Sequence, residues 1–213
     1  VYGLIGQIGL PEGVVSLVHG GRETVDALLD HPGVKAISFV GSTQIAKYVY
    51  ARGAANGKRV QAQGGAKNPV VVLPDADLEV SSKVIADSVY GCAGQRCLAA
   101  STVISVGDQQ GAIKEALYET ARKRSTGYGL LNEVEMGPVI SPESKARIEE
   151  LISKGAAEGA NVLLDGRNTR IDGYENGNFI RPTILENVPL SGEIIRTEIF
   201  GPVMTLLSMK TVD

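Results

Sequence analysis

The chain has 213 residues, 43% hydrophobic and 21% charged, with 21 Lys plus Arg against 24 Asp plus Glu for a net charge of −3. That is enough chain for one or two domains burying about 70% of their unfolded surface, and too hydrophobic for intrinsic disorder. The slight acidic excess argues against a nucleic-acid binder held by phosphate contacts, no apolar run reaches the ~20 residues of a membrane span, and Cys92 and Cys97 alone make neither a disulfide framework nor a zinc site.

β-branched runs alternate with longer helical patterns. Val14 to Val18 reads as a strand and Glu23 to Leu29 as a short helix stopped by His31-Pro32-Gly33. Ala36 to Val40 is an apolar strand turned by Gly41, after which Ser42 or Thr43 can cap a helix to about Ala54. Val60–Ala62 and Val70–Leu73 flank the turn at Gly64 to Ala66, and Asp77 to Ala93 reads as one helix. A strand at Thr102–Val106 precedes amphipathic helices at Gly111–Arg124 and Pro142–Gly155, with further strands at Val162–Leu164, Ile180–Leu185 and Val203–Met209. Strands separated by ten to fifteen helical residues predict an α/β fold of mostly parallel sheets with flanking helices. Asn56-Gly57-Lys58 is the expected hinge, giving parts 1–58 and 59–213.

Four segments can carry chemistry. At Gly41-Ser42-Thr43 a buried strand turns into a helix start, where free N–H groups and the positive helix end favour an anion; an ordinary hydroxyl-capped turn has the same pattern. At Gly94-Gln95-Arg96-Cys97 the chain leaves a helix with a thiol beside a guanidinium, the setting of a lowered thiol pKa and a covalent nucleophile. Both cysteines could instead be buried fillers, and placement within a helix favours that for Cys92. Gln63 to Pro69 is a glycine-containing loop opening a strand. Glu198 and Phe200 stand two apart in Thr197 to Val203, so in an extended segment they face one side and can address one ligand; a solvated Glu and a core Phe fit equally.

Taken jointly, the order and spacing of Gly-Gln-x-Cys and Glu-Ile-Phe-Gly-Pro-Val resemble the aldehyde dehydrogenase superfamily along essentially the whole chain. That resemblance implies that Cys97 attacks the aldehyde carbonyl, its own N–H helping to hold the oxyanion, that Gly41 and Ser42 bind the pyrophosphate of NAD, that Glu198 bonds the ribose hydroxyls and that Phe200 packs near the nicotinamide. Lys67 is implied as a structural residue, and Ala46 stands where the family often has glycine.

Gln63 falls where hydrolytic members of the family carry the glutamate that activates water. An amide takes no proton near neutral pH, and no Asp or Glu occurs between Arg59 and Pro74. A thiol such as coenzyme A is then the expected acyl acceptor. Gly65 to Asn68 and Gly173 to Phe179 resemble the methylmalonate-semialdehyde dehydrogenases within that superfamily, which implies acyl-CoA formation from methylmalonate or malonate semialdehyde with loss of carbon dioxide. Arg96 is then either a clamp for the substrate carboxylate or simply a cation beside the thiol. The alternatives are a hydrolytic aldehyde dehydrogenase with its base elsewhere, or a non-catalytic binding member of the fold.

The start at Val1 and the strand running toward a cap at Asp213 read as cuts inside a longer protein, a small domain with frayed ends being the alternative. The resemblance places the rest of the cofactor domain upstream and an oligomerisation strand downstream, so both parts are expected to be incomplete. The 213 residues alone are expected to bind NAD poorly, which titration calorimetry tests, while the intact protein is expected to be a homo-oligomer, dimer or tetramer. Free cysteines and no signal peptide read as intracellular, cytoplasmic in a bacterium and mitochondrial in a eukaryote.

Overall fold

The computed structural model describes residues 2–212, and the cap expected at Asp213 lies outside them. The chain divides into two compact units, 1–65 and 66–213.

The first unit holds α1 (Tyr2–Ile5), α2 (Arg22–Asp30), β1 (Ala36–Val40), α3 (Thr43–Ala55) and β2 (Arg59–Gln63). β1 and β2 pair in parallel, Ala36 opposite Arg59 and Val40 opposite Gln63, with α3 as the crossover. Leu29, Ala46 and Val49 are buried. A β-carbon on Gly53 would fall 2.7 Å from Val60, so α3 needs glycine to sit this close to β2. The Lys58 ammonium donates to the carbonyls of His31 (2.6 Å) and Val34 (2.7 Å) and closes the end of the unit. Because Arg59–Gln63 pairs along β1, the expected hinge at Asn56–Lys58 is only the α3–β2 turn, and the units divide after Gly65. The strand expected at Val14–Val18 is absent: the segment is exposed and pairs with no strand among the described residues, and β-propensity without a partner makes no strand.

The second unit contains β3 (Pro69–Val72), α4 (Leu78–Tyr90), β4 (Thr102–Val106), α5 (Gln110–Lys123), α6 (Pro142–Ala157), β5 (Asn161–Leu164), β6 (Thr183–Glu186), α7 (Glu193–Arg196) and β7 (Val203–Met209). Its sheet runs β3-β4-β7-β6-β5, parallel except for β5. The central strands are nearly continuous apolar runs, as expected of strands covered on both faces, and Val103, Ile184, Leu185 and Met204 are buried with Val89, Leu117, Ile148 and Ile152 of the helices. Asp77 caps α4 by accepting the Val80 N–H (3.0 Å), and Ser141 caps α6 by accepting that of Ser144 (3.2 Å). β6 starts at Thr183, later than expected, because Pro182 has no N–H for the ladder. Tyr90 is fully buried, its hydroxyl 3.3 Å from the Thr183 carbonyl, and burial pushes its pKa far above the usual phenol range.

Candidate active site

The second unit forms a cleft lined by Asn68, Arg96, Cys97, Glu198 and Phe200 among others. The two motifs that bring these side chains together are about a hundred residues apart in the chain.

The loop that carries both cysteines starts where α4 stops. The helix expected to run to Ala93 ends at Tyr90, and Cys92, Ala93 and Gly94 follow with φ of 52°, 53° and 67°, closed by the Gln95 N–H on the Cys92 carbonyl (3.0 Å). A left-handed residue with a side chain costs about 1–2 kcal/mol, so this turn persists only because its surroundings hold it. Cys92 is therefore neither helical nor a buried filler; its thiol is exposed, as is that of Cys97.

Three contacts hold the loop. A β-carbon on Gly94 would lie 2.1 Å from the Gly201 carbonyl oxygen, so the loop backbone rests directly on the chain that carries Phe200. Gln95 Nε2 donates to Ser144 Oγ (2.9 Å) and to the Phe200 carbonyl (3.3 Å), while its Oε1 accepts the Ile140 N–H (2.9 Å). Asn68 Nδ2 donates to the carbonyls of Cys97 (2.8 Å) and Ala99 (2.9 Å), pinning the far side of the loop to the start of β3.

Arg96 lines the cleft, but its Nη2 donates to the carbonyls of Asp87 (3.0 Å) and Ser88 (3.2 Å) at the end of α4. The guanidinium lies over Gly91, where a β-carbon would come within 2.6 Å of Nη2. Arg96 thus braces the helix end against the loop, and its Nε and Nη1 make no hydrogen bond among the described residues.

Glu198 and Phe200 do share the cleft, though not through strand alternation. Phe200 has a φ of 54°, an outlier for a bulky residue of the kind that collects at ligand sites. Arg147 of α6 donates through Nη1 to the Glu198 carbonyl (3.3 Å) and through Nη2 to that of Ile199, fixing the segment by its backbone. The Glu198 carboxylate has no hydrogen-bond partner among the described residues and is left free for a ligand.

Lys67 holds the backbone just ahead of Glu198. Its ammonium donates to the carbonyls of Ile194 (2.9 Å) and Thr197 (3.2 Å), and burial lowers its pKa from 10.5 to about 8, the charge of Glu198 opposing the shift. Between pH 8 and 10.5 the unfolded lysine holds a proton that the folded one has released, so its contribution to stability rises with pH there and is flat below pH 8. Denaturant unfolding from pH 7 to 10.5 should show the parent gaining stability relative to Lys67→Gln across that window; a constant difference would contradict the assignment.

In the first unit, the Gly41 N–H donates to the Gln63 carbonyl (3.1 Å), joining the ends of β1 and β2. Thr43 Oγ1 accepts the Gly65 N–H (2.9 Å), whereas the Ser42 hydroxyl at the N-cap of α3 is exposed and makes no capping bond. A thirteen-residue helix with an open hydroxyl at its positive end fits a phosphate. Ala46, standing where the family often has glycine, is buried in the first turn, and its N–H donates to the Ser42 carbonyl (2.8 Å). The Gln63 side chain is exposed at the end of β2.

The sequence reading missed the holding roles of Asn68, Gln95 and Arg147. Asn68 and Gln95 stood inside quoted motifs without a role, and only the amide of a side chain flanking a glycine turn hinted at one.

Residues 1–213 match the aldehyde dehydrogenase family. The chain is 46% identical over 210 residues to a probable mitochondrial methylmalonate-semialdehyde/malonate-semialdehyde dehydrogenase (acylating) of Anopheles gambiae, covering 99% of this chain and 40% of that protein. It is equally similar to the Rattus norvegicus enzyme of that name, covering 39% of it. Among solved structures, it superposes with a TM-score of 0.94 and 40% identity on a putative methylmalonate-semialdehyde dehydrogenase of Sinorhizobium meliloti complexed with NAD, covering 97% of this chain and 42% of the other. It superposes with the same score and 38% identity on the Oceanimonas doudoroffii enzyme, covering 98% and 43%. The chain thus spans about 40% of the length of the relatives it matches. With the match running from end to end and the thiol, acid and aromatic ring gathered in one cleft, the chain belongs to the aldehyde dehydrogenase family.

Proposed function

We propose that this chain carries the nucleophile and part of the cofactor site of an NAD-dependent, CoA-acylating semialdehyde dehydrogenase, a homo-oligomer in its intact form. The observation that carries the reading is an exposed Cys97 in one cleft with Glu198 and Phe200, together with an amide at residue 63. The acylating names of the relatives and the NAD complex of the Sinorhizobium neighbour support it. We assign the first unit to the cofactor domain and the second to the catalytic domain. The protein would work in the cytoplasm of a bacterium or, as the names of the animal relatives state for them, in mitochondria.

NAD, when bound, supplies the acceptor for a hydride from the substrate carbon. Each unit carries residues that suit part of it: in the first, Ser42 and the first turn of α3 suit the pyrophosphate; in the second, the Glu198 carboxylate, without a hydrogen-bond partner among the described residues, suits ribose hydroxyls, and the Phe200 ring, 37% exposed, suits the nicotinamide.

Cys97 sulfur forms a bond to the aldehyde carbon, and the carbonyl π pair moves to oxygen. The Cys97 N–H, which donates to nothing else among the described residues, is available to that oxyanion. When the C=O re-forms, hydride departs and a thioester remains on Cys97. Gln63 cannot take a proton from water. The β-carboxylate of the thioester leaves as carbon dioxide, the C–C electron pair passing to the α-carbon, which takes up a proton. The sulfur of coenzyme A, losing its proton, attacks the thioester carbon, and Cys97 leaves with its electron pair and takes up a proton, giving acyl-CoA and the free enzyme thiol. Arg96 Nε and Nη1 would meet the substrate carboxylate.

In the full-length protein, semialdehyde and NAD without coenzyme A should give about one equivalent of NADH per site and then stall, with steady turnover on adding coenzyme A. Gln63→Glu should raise acid release in the absence of coenzyme A. Acid formed at the full rate without coenzyme A by the parent would make it a hydrolytic enzyme instead.

A further inference from the structure

Two consecutive residues where β3 begins reach the two halves of the cleft, the thiol loop and the acid–aromatic segment. Asn68 gathers the chain that leaves Cys97. Its Nδ2 donates to the carbonyls of Cys97 (2.8 Å) and Ala99 (2.9 Å), and its N–H donates to Ser101 Oγ (3.1 Å). Its own carbonyl accepts the N–H groups of Ser101 (3.0 Å) and Thr102 (3.2 Å). Residues 97–102 thus wrap around one residue. A primary amide carries two N–H groups, one for each carbonyl, whereas a carboxylate of the same shape has only acceptors to offer them.

Lys67 does the same for the other half. Its bonds to the Ile194 and Thr197 carbonyls hold the backbone up to the residue before Glu198, and Arg147 takes the next two carbonyls, those of Glu198 and Ile199. The segment is therefore gripped on both sides of a carboxylate that itself has no hydrogen-bond partner among the described residues. A lysine whose bonds all go to carbonyls is a costly way to fill space, since burial disfavours its charge and lowers its pKa to about 8. What it supplies, and an apolar side chain of the same length would not, is donors directed at those two carbonyls.

We propose that Lys67 and Asn68 are positioning residues that divide the cleft between them: Asn68 sets where the Cys97 thiol stands, and Lys67 sets where the Glu198 carboxylate stands. One peptide bond joins the two, so the spacing of thiol and acid is fixed by side chains rooted at one point of the sheet. With their donors spent on backbone carbonyls, both act through Cys97 and Glu198. The proposal rests on the function proposed above for the roles of those two, nucleophile and ribose ligand.

The test uses the full-length protein and one readout for each half. For the thiol, it is the rate at which Cys97 takes an acetyl group from p-nitrophenyl acetate without NAD, the sulfur bonding to the ester carbon as nitrophenolate leaves, with peptide mass spectrometry to separate Cys97 from Cys92. For the acid, it is the dissociation constant of NAD by titration calorimetry. Asn68→Ala should slow acetylation about 100-fold, the effect of about 1 Å of displacement at the reacting atom, with the NAD constant within about threefold of the parent. Lys67→Met should weaken NAD about tenfold, the value of about one hydrogen bond, with acetylation within about threefold. If Asn68→Ala does not fold, Asn68→Ser, which keeps a single donor, carries the same comparison with a loss of about tenfold. A pair that served only stability would move both readouts together with the melting temperature. Parallel losses in each variant, or two unchanged readouts, would overturn the proposal alone, provided the parent acetylates Cys97. A parent that takes no acetyl group there overturns the reaction and this proposal with it.

Discussion

Cys97→Ala in the full-length protein should abolish aldehyde-dependent NADH formation, by about four orders of magnitude or more, while the protein folds and melts as the parent does. The size follows from the proposed role of the Cys97 sulfur as the atom that bonds to the substrate, since losing a covalent nucleophile leaves only binding and oxyanion stabilisation. The stability follows from the environment: the side chain is exposed and its sulfur packs against little, so the truncation leaves no core cavity. Cys92→Ala is the matched control, an exposed thiol five residues away in the same loop that the cleft lining does not include. It should keep activity within about twofold of the parent, as surface substitutions do. Steady-state kinetics with differential scanning calorimetry on both variants checks this. Turnover retained in Cys97→Ala and lost in Cys92→Ala would move the nucleophile.

The second large effect is expected at a residue with no side chain. Gly94→Ala should lower kcat/KM about 100-fold with the overall fold intact. Two costs fall on the same atom. At φ 67° a β-carbon is strained by about 1–2 kcal/mol. It would also lie 2.1 Å from the Gly201 carbonyl oxygen and 2.9 Å from Pro202 N, both backbone, so no rotamer change relieves it. The loop must lift off the Phe200–Gly201 segment, and a displacement of about 1 Å at the reacting sulfur is worth about 100-fold in rate. Gly91→Ala discriminates this account from a general intolerance of the loop. There the β-carbon meets only the flexible end of Arg96, at 2.6 Å from Nη2, and the guanidinium can swing aside. Activity in Gly91→Ala should fall no more than a few-fold; losses of equal size in the two variants would contradict the contact-based argument.

Much of this arrangement was legible locally. The β1–α3–β2 unit follows from an apolar run, a glycine turn and a hydroxyl at the helix start, and the strands at Thr102–Val106 and Val203–Met209 lie where their β-branched and aliphatic residues predict them. The thiol and the acid–aromatic pair were identifiable because their motifs are short and contiguous. Features that depend on distant partners were not. The left-handed turn at Cys92–Gly94 is favoured only by Gly94 among its own residues, since Cys and Ala favour right-handed backbone; the Phe200–Gly201 segment and Asn68, from elsewhere in the chain, hold it. Val14–Val18 shows the converse, a good strand sequence without a partner strand. Glu198 and Phe200 reach one cleft through a strained φ at Phe200 and the backbone clamp of Arg147, where alternation in an extended segment had been expected to align them. Arg96, placed beside the thiol by sequence adjacency, spends one end on the carbonyls of α4, a contact that depends on where that helix stops.

The account rests on an acyl group held on Cys97 that water does not remove. Full-length protein mixed with NAD and semialdehyde in the absence of coenzyme A, quenched in acid and read by intact and peptide mass spectrometry, measures this directly. The prediction is a stoichiometric acyl adduct on the peptide containing Cys97, persisting for many turnover times and discharged on adding coenzyme A. An adduct on Cys92, no adduct at all, or one that water clears as fast as the thiol does would contradict it.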